Sequence, residues 1–370
     1  MSEPLSKMPD GVRYYCGAEA RLRRAVEDAA MSVFAGWSYE EIATPTLDYF
    51  ALFARGMGHD EAQRAFRFTD TDGRLLALRP DVTSSVARAS ATLFAGRARP
   101  LRLCYAANVF RQRPRSHAEW RREWTQLGCE LIGANGAAAD LETLLVAVEV
   151  LTQLGLAGRF RITLNHVEIF NGVAAQFQLD APAREEMRRI IDTRDTDALA
   201  RFLAADGRNV RAPLTRFTGQ RDLITTAQQL LPHPRSRAAL DALAAMWSAL
   251  DALHLSDSFE IDLGDVAGLD YYTGLVYKIY VAGAGTRVGS GGRYDELTNN
   301  FGGRDPAVGF VLDLDALTDV LARSHSTFAR NGHTQPTSIA DEETIERFRA
   351  ARRSRANGEQ VCLSDEGARR

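Results

Sequence analysis

The sequence lacks most of the marks that identify an enzyme class at sight. Its four cysteines, Cys16, Cys104, Cys129 and Cys362, are scattered through 370 residues. None forms a Cys-x-x-Cys pair, which excludes a zinc ribbon or a disulfide framework and fits a reducing compartment. No stretch of 18 apolar residues occurs, so no membrane span is expected. The polar opening from Met1 to Asp10 has no apolar core of a secretion signal, which makes the cytoplasm the expected location. There is no phosphate-binding loop ending in Gly-Lys-Ser/Thr, no His-Glu-x-x-His pair and no Gly-x-Ser-x-Gly elbow. Neither sign of charge dominates: 45 Lys and Arg against 48 Asp and Glu leave a net charge of −3. That balance argues against a nucleic-acid partner or an anionic membrane surface.

What remains is an ordinary globular composition, 45% apolar and 25% charged, on a chain long enough for two or three domains. Residues 13–36 read as an amphipathic helix with Leu22, Val26, Ala29 and Val33 on one face and Gly36 as its stop. Strands are expected at 39–44, at 66–69 and 75–78 around an Asp72-Gly73 turn, and at 101–109, 124–132 and 160–164. A helix with Leu141, Leu144, Leu145, Val148 and Leu151 on one face lies between the last two. Residues 178–255 are helical by pattern, and strands return at 259–263 and 275–281. Gly283, Gly285 and Gly289 have the wrong spacing for a dinucleotide fingerprint and read as a turn cluster. Hairpin-joined strands without a repeating β-α unit imply an α+β fold with an antiparallel sheet flanked by helices, plus a helical insertion. The expected divisions are 1–177 and 256–323 for the core, 178–255 for the insertion, and 324–370 for a polar tail.

Three strings look chemically rich. In Leu78-Arg79-Pro80-Asp81-Val82-Thr83, Asp81 and Thr83 two residues apart on a strand would face one way and hold an ammonium group; a helix cap by Asp81 is the competing reading. Gln126, Gly128 and Glu130 share one strand face after Val109-Phe110-Arg111 and an arginine-rich loop, which suits either a ligand pocket or a solvent-facing edge. Gly268-Leu269-Asp270-Tyr271-Tyr272 and Gly291-Gly292-Arg293-Tyr294-Asp295 place tyrosine hydroxyls beside glycines, as a flat pocket wall or as plain aromatic packing.

Taken in order, Leu-Arg-Pro-x-x-Thr, Phe-Arg…Gln-Leu-Gly-x-Glu, Gly-Leu-Asp-Tyr-Tyr and Gly-Gly-Arg-Tyr-Asp make residues 10–320 resemble histidyl-tRNA synthetase, a class II aminoacyl-tRNA synthetase. The resemblance implies that Asp81, Thr83 and Gln126 take the α-ammonium of a histidine-like ligand, with Arg111, Tyr271 and Tyr272 around it. Glu130 and Tyr272 would face the imidazole, and Pro45 would sit at a dimer interface. It also marks losses. Of the family's three phosphate-facing arginines Arg111 matches one, Ala267 and Ala316 stand in place of the other two, and Arg113 stands in place of an acid. Activation of an amino acid builds negative charge on a phosphate, so a site without those cations is poorly equipped for it. The short stretch after the core adds the expectation that no anticodon-binding domain follows.

The combination is similar to the synthetase-like regulatory subunits of ATP phosphoribosyltransferase. It implies no catalytic residue, no cofactor, no metal and no nucleic-acid or membrane partner. It further implies a short-form catalytic subunit as partner, a homodimer within a hetero-octamer, and histidine as feedback ligand. The alternatives are an active histidine-type adenylating enzyme and a tRNA-binding module.

Overall fold

The computed structural model describes residues 6–113, 120–204, 218–266 and 272–324, with 353 and 357. The chain divides into two compact units, Met1–Ser324 and His325–Arg370; the tail expected from 324 lies almost wholly outside the described residues. Tyr271 and Ala267 lie outside them too.

The first unit runs α1 (Gly17–Gly36), β1 (Glu40–Glu41), β2 (Leu47–Tyr49), α2 (Phe50–Met57), α3 (His59–Ala62), β3 (Arg67–Thr69), β4 (Leu75–Leu78), α4 (Thr83–Ala91), β5 (Leu101–Phe110) and β6 (Glu123–Ile132). It continues with α5 (Ala137–Gln153), β7 (Phe160–His166), α6 (Val167–Gln176), α7 (Ala181–Asp192), α8 (Thr196–Ala204), β8 (Thr218–Gly219), α9 (Arg221–Leu230) and α10 (Pro234–Ala252). It closes with β9 (Phe259–Asp262), β10 (Leu275–Val281), β11 (Gly289–Arg293), β12 (Ala307–Asp313) and α11 (Leu314–Ser324).

Nine strands form one sheet in the order β1-β5-β6-β12-β11-β10-β7-β9-β8, and β2-β4-β3 form a second. The large sheet is mixed rather than purely antiparallel: β1–β5 and β7–β9 run parallel. Alternation decides its two faces. Leu127, Cys129, Ile162, Leu164, Tyr277, Ile279, Phe310 and Leu312 point into the main apolar core with α1, α5, α10 and α11. Helix α1 buries Val26, Ala30, Val33 and Phe34, one step round from the face expected at Ala29. Phe34 meets Phe310 edge-on, with ring centroids 6.0 Å apart, a geometry worth about 0.5–1.5 kcal/mol beyond its burial. In the region expected as an insertion, α7 and α8 build a small core together with Ala174 of α6, whereas α10 contributes Leu240, Leu243 and Trp247 to the main one.

Two expectations change. The strand foreseen at 39–44 shrinks to β1, because Pro45 removes a ladder donor, and the chain turns away to form β2. The glycine stretch is a turn only in its first half. Gly289, Gly291 and Gly292 lie in β11, where a Cβ at Gly291 would stand 2.5 Å from the Tyr277 ring and 2.6 Å from the Gly309 carbonyl. Those glycines serve close approach rather than turning.

Candidate functional site

The other face of the large sheet carries the chemistry. Register places Glu130 opposite Gly309, Gly309 opposite Gly292, Gly292 opposite Val276, and Val276 opposite Asn165. The next row reads Gly128, Val311, Ser290, Lys278, Thr163. Two glycines at the centre of the first row leave a trough whose floor is backbone. A methyl at Gly309 would strike the Glu130 carboxylate and come within 2.5 Å of the Cys129 carbonyl; one at Gly292 would lie 2.8 Å from the Tyr272 ring. Gly309→Ala is therefore expected to cost about 1–3 kcal/mol through overpacking and to displace Glu130. Urea denaturation checks the first effect; histidine titration of the folded variant checks the second.

Glu130 is almost completely buried and accepts from three hydroxyls. Thr83 Oγ1 donates to Oε1 at 2.9 Å and Tyr105 Oη to the same oxygen at 3.0 Å, while Tyr294 donates to Oε2. Tyr105 fits because its strand partner is Gly128, where a Cβ would sit 2.5 Å from the phenol oxygen. Burial pushes the Glu130 carboxyl up to about 8, against the pull of the hydroxyls and with help from the nearby Asp81 charge. An ionised carboxylate has about four acceptor positions, and three are filled. The group is built to meet one more N–H donor.

Asp81 and Thr83 do not lie on a strand. Thr83 opens α4, and Asp81 precedes it, accepting from the Ser84 N–H at 3.4 Å. The capping contact and the pocket position coexist, because the first helical turn swings both side chains toward β6. Gln126 braces this turn, donating to Asp81 and accepting from the Val82 N–H at 3.3 Å. Burial raises the Asp81 carboxyl above the usual range, while the Arg111 guanidinium pulls it back. Arg111 lies over the Trp124 ring at 4.9 Å.

One cavity gathers Asp81, Thr83, Arg111, Gln126, Glu130 and Tyr272, with Lys278, Arg287 and Tyr294. A second cavity adjoins it, sharing Arg111, Gln126, Arg287, Ser290 and Val311, and adds Arg64, Arg121 and Asp313. Ala316 lies instead in the first turn of α11, packed against the main core. Its neighbours are committed elsewhere: Asp315 accepts from Arg23 Nε at 3.0 Å and from the Thr125 N–H at 2.7 Å, and Asp319 pairs with Arg13 and Arg121. Among the described residues no cluster of His, Cys, Asp or Glu could hold a metal ion, and no helix is long and apolar enough to cross a membrane.

Sequence reasoning passed over Tyr105, Lys278 and Arg287, and quoted Tyr294 without a role. Lys278 had a signal, being the single charge in the apolar run Leu275 to Val281. Arg293, in the same string as Tyr294, is structural: it donates to Asp140 at 2.8 Å and Asp295 at 3.0 Å, holding the start of α5.

A histidyl-tRNA synthetase family model matches residues 11–317. An ATP phosphoribosyltransferase regulatory subunit from Moorella thermoacetica is 36% identical, covering 98% of this chain and 93% of its own. A histidine–tRNA ligase from Methanocaldococcus jannaschii is 35% identical over 84% of this chain and 74% of its own. Among solved structures, an ATP phosphoribosyltransferase regulatory subunit/histidyl-tRNA synthetase from Bacillus halodurans superposes with a TM-score of 0.84 at 29% identity, covering 100% of this chain and 95% of that one.

Proposed function

The chain belongs to the histidyl-tRNA synthetase family, and from that premise we propose that it is a non-catalytic regulatory subunit of ATP phosphoribosyltransferase that binds histidine. It acts with a short-form catalytic subunit in the first step of histidine biosynthesis and carries histidine feedback to it. The observation that carries this reading is the contrast between two ends of one site. The amino-acid end is complete, with Glu130 under three hydroxyls and Asp81, Thr83 and Gln126 grouped beside it. At the phosphate end the adjoining cavity sets Asp313 among Arg64, Arg111, Arg121 and Arg287, and Ala316, in α11, adds no further cation to them. In this assignment Asp81, Thr83 and Gln126 take the ammonium, Glu130 and Tyr272 take the imidazole, and Tyr271 and Arg111 complete the surround.

Mixing the purified chain with a short-form catalytic subunit tests the proposal. The expected result is a stable complex with phosphoribosyltransferase activity that falls when histidine is added. No association at micromolar concentration, or activity indifferent to this chain, overturns it. The Methanocaldococcus relative favours a second reading, an adenylating enzyme, which pyrophosphate exchange separates from the first.

The assembly is proposed to rest on a homodimer around Pro45. Leu47, Tyr49, Leu76, Leu78 and Phe68 share one face of the small sheet, and Leu47, Tyr49 and Phe68 are 41–49% exposed there. A second copy is the occupant that fits, since Pro45 is exposed beside the same face. Light scattering should return a dimer for the isolated chain. Tyr49→Asp should weaken it at least tenfold, the scale of an interface hot spot of about 2 kcal/mol.

A further inference from the structure

Lys278 and Arg287 have no place in the assignment above, yet both line the amino-acid cavity. Lys278 is the residue opposite Ser290 on β11, and Ser290 in turn faces Val311; both of those partners line the same cavity. Lys278 therefore stands on the pocket face of β10, three strands from Glu130. That is a backbone gap of roughly 14 Å, and the Lys278 ammonium lies at its far end, on Asp265. Arg287 lies just before β11, at the junction with the second cavity.

The charges around the trough are asymmetric. Asp81 and Glu130 occupy one wall. Of the three cations, Arg111 is stacked on Trp124 and faces Asp81. Lys278 and Arg287 form the opposite wall. The Lys278 ammonium rests on Asp265, a buried carboxylate that also feels Arg287. Beside it, Thr163 Oγ1 and Asn165 Oδ1 are buried with no hydrogen-bond partner, and their strand positions lie on the same face as Lys278. A lysine has three donors on a flexible stem, so this ammonium can keep Asp265 as one partner and still offer donors to a ligand carboxylate. Carboxylates at one side and an ammonium at the other suit a zwitterion.

We propose that Lys278, supported by Arg287, binds the free carboxylate of the amino-acid ligand and makes the pocket selective for an unmodified α-amino acid. This rests on the histidine-binding reading above. The wall supplies a cation from β10 and the β11 approach that Ala267 does not supply. A cation seated on an intact carboxylate favours the resting amino acid, and gives the pocket the character of a receptor.

Comparing ligands with and without the carboxylate tests this. Calorimetry is run on the full chain with histidine and with histidinol, whose acid group is reduced to an alcohol. The wild type should prefer histidine by roughly 10- to 100-fold, the worth of one charge-assisted hydrogen bond. Because Lys278→Met alone strands Asp265, the decisive variant is Lys278→Met with Asp265→Asn, which removes both charges together. It should lose most of the preference while binding histidinol as the wild type does. Asp265→Asn alone should keep the preference. If the double variant binds histidine and retains the full preference, or weakens both ligands equally, the role of Lys278 is overturned and histidine binding stands. If the wild type binds neither ligand, the histidine-binding reading fails and this inference fails with it.

Discussion

Histidine-dependent ATP–pyrophosphate exchange should stay at background for the purified chain. Each preorganised donor that stabilises charge in a transition state is worth about 10²–10³ in rate. On the proposed function, in which Ala267 and Ala316 replace two such arginines, the shortfall is about 10⁴–10⁶, less than the full product because such losses are not additive. The surroundings of Ala316 make recovery harder than replacing a side chain. Asp315 and Asp319 are already engaged by Arg23, Arg13 and Arg121. Asp313 lines the adjoining cavity, and burial lifts its carboxyl only to about 6, so it is mostly ionised at neutral pH. Phosphates entering there would meet that charge among Arg64, Arg111, Arg121 and Arg287, of which Arg121 is already held by Asp319. Ala267→Arg with Ala316→Arg is therefore expected to gain less than 10² of the missing rate. Strong exchange by the unaltered chain would show that the synthetase reaction survives and that the non-catalytic reading is wrong.

The second large effect belongs to Glu130. Glu130→Ala should weaken histidine binding about 10²-fold, roughly 3 kcal/mol, because a buried N–H donor loses its carboxylate. The pH dependence is more diagnostic. In the empty pocket Glu130 holds a proton up to about pH 8, and free imidazole titrates near 6.5. The complex keeps one proton between carboxylate and ring. Below about pH 6.5 the separated partners carry two, so binding releases one and affinity rises with pH. Between the two values no net proton moves. Above about pH 8 the separated partners carry none, binding takes one up, and affinity falls. Glu130→Gln should abolish the upper limb and leave the lower one. The same raised value bears on the empty fold: the stability Glu130 contributes is full below the ordinary carboxylate range and is lost as pH climbs through about 8. Equal histidine binding by wild type and Glu130→Ala would remove Glu130 from the site.

Much of this was legible in the sequence, and the failures have physical causes. Gln126, Gly128 and Glu130 were placed on one face by the period of two, and register bears that out. Of the two readings of Asp81 and Thr83, the strand fails and the helix cap by Asp81 holds; local pattern alone does not distinguish a strand end from the first turn of α4. Tyr105 sat unseen in an alternating apolar strand. Only its pairing with Gly128, a contact between strands, exposes its hydroxyl to Glu130. Gly289 was read as part of a turn because what it accommodates, the Val311 carbonyl and the Leu312 and Ile279 side chains, approaches from elsewhere in the chain.

The pairing of β6 with β12 has a consequence for how the molecule comes into being. Gln126 pairs with Asp313 and Ile132 with Ala307, so the binding trough joins chain segments made early and late in synthesis, with the whole helical region between them. Such distant pairings are slow to find, since the loop must close before any contact rewards it. A nascent chain released before β12 has no trough at all. On the proposed function, histidine would be taken up only by the finished sheet and would then stabilise the whole fold by mass action, not one corner of it. The feedback ligand would thus also lengthen the life of the subunit that reads it, and starvation for histidine would leave that subunit the more exposed to unfolding and proteolysis.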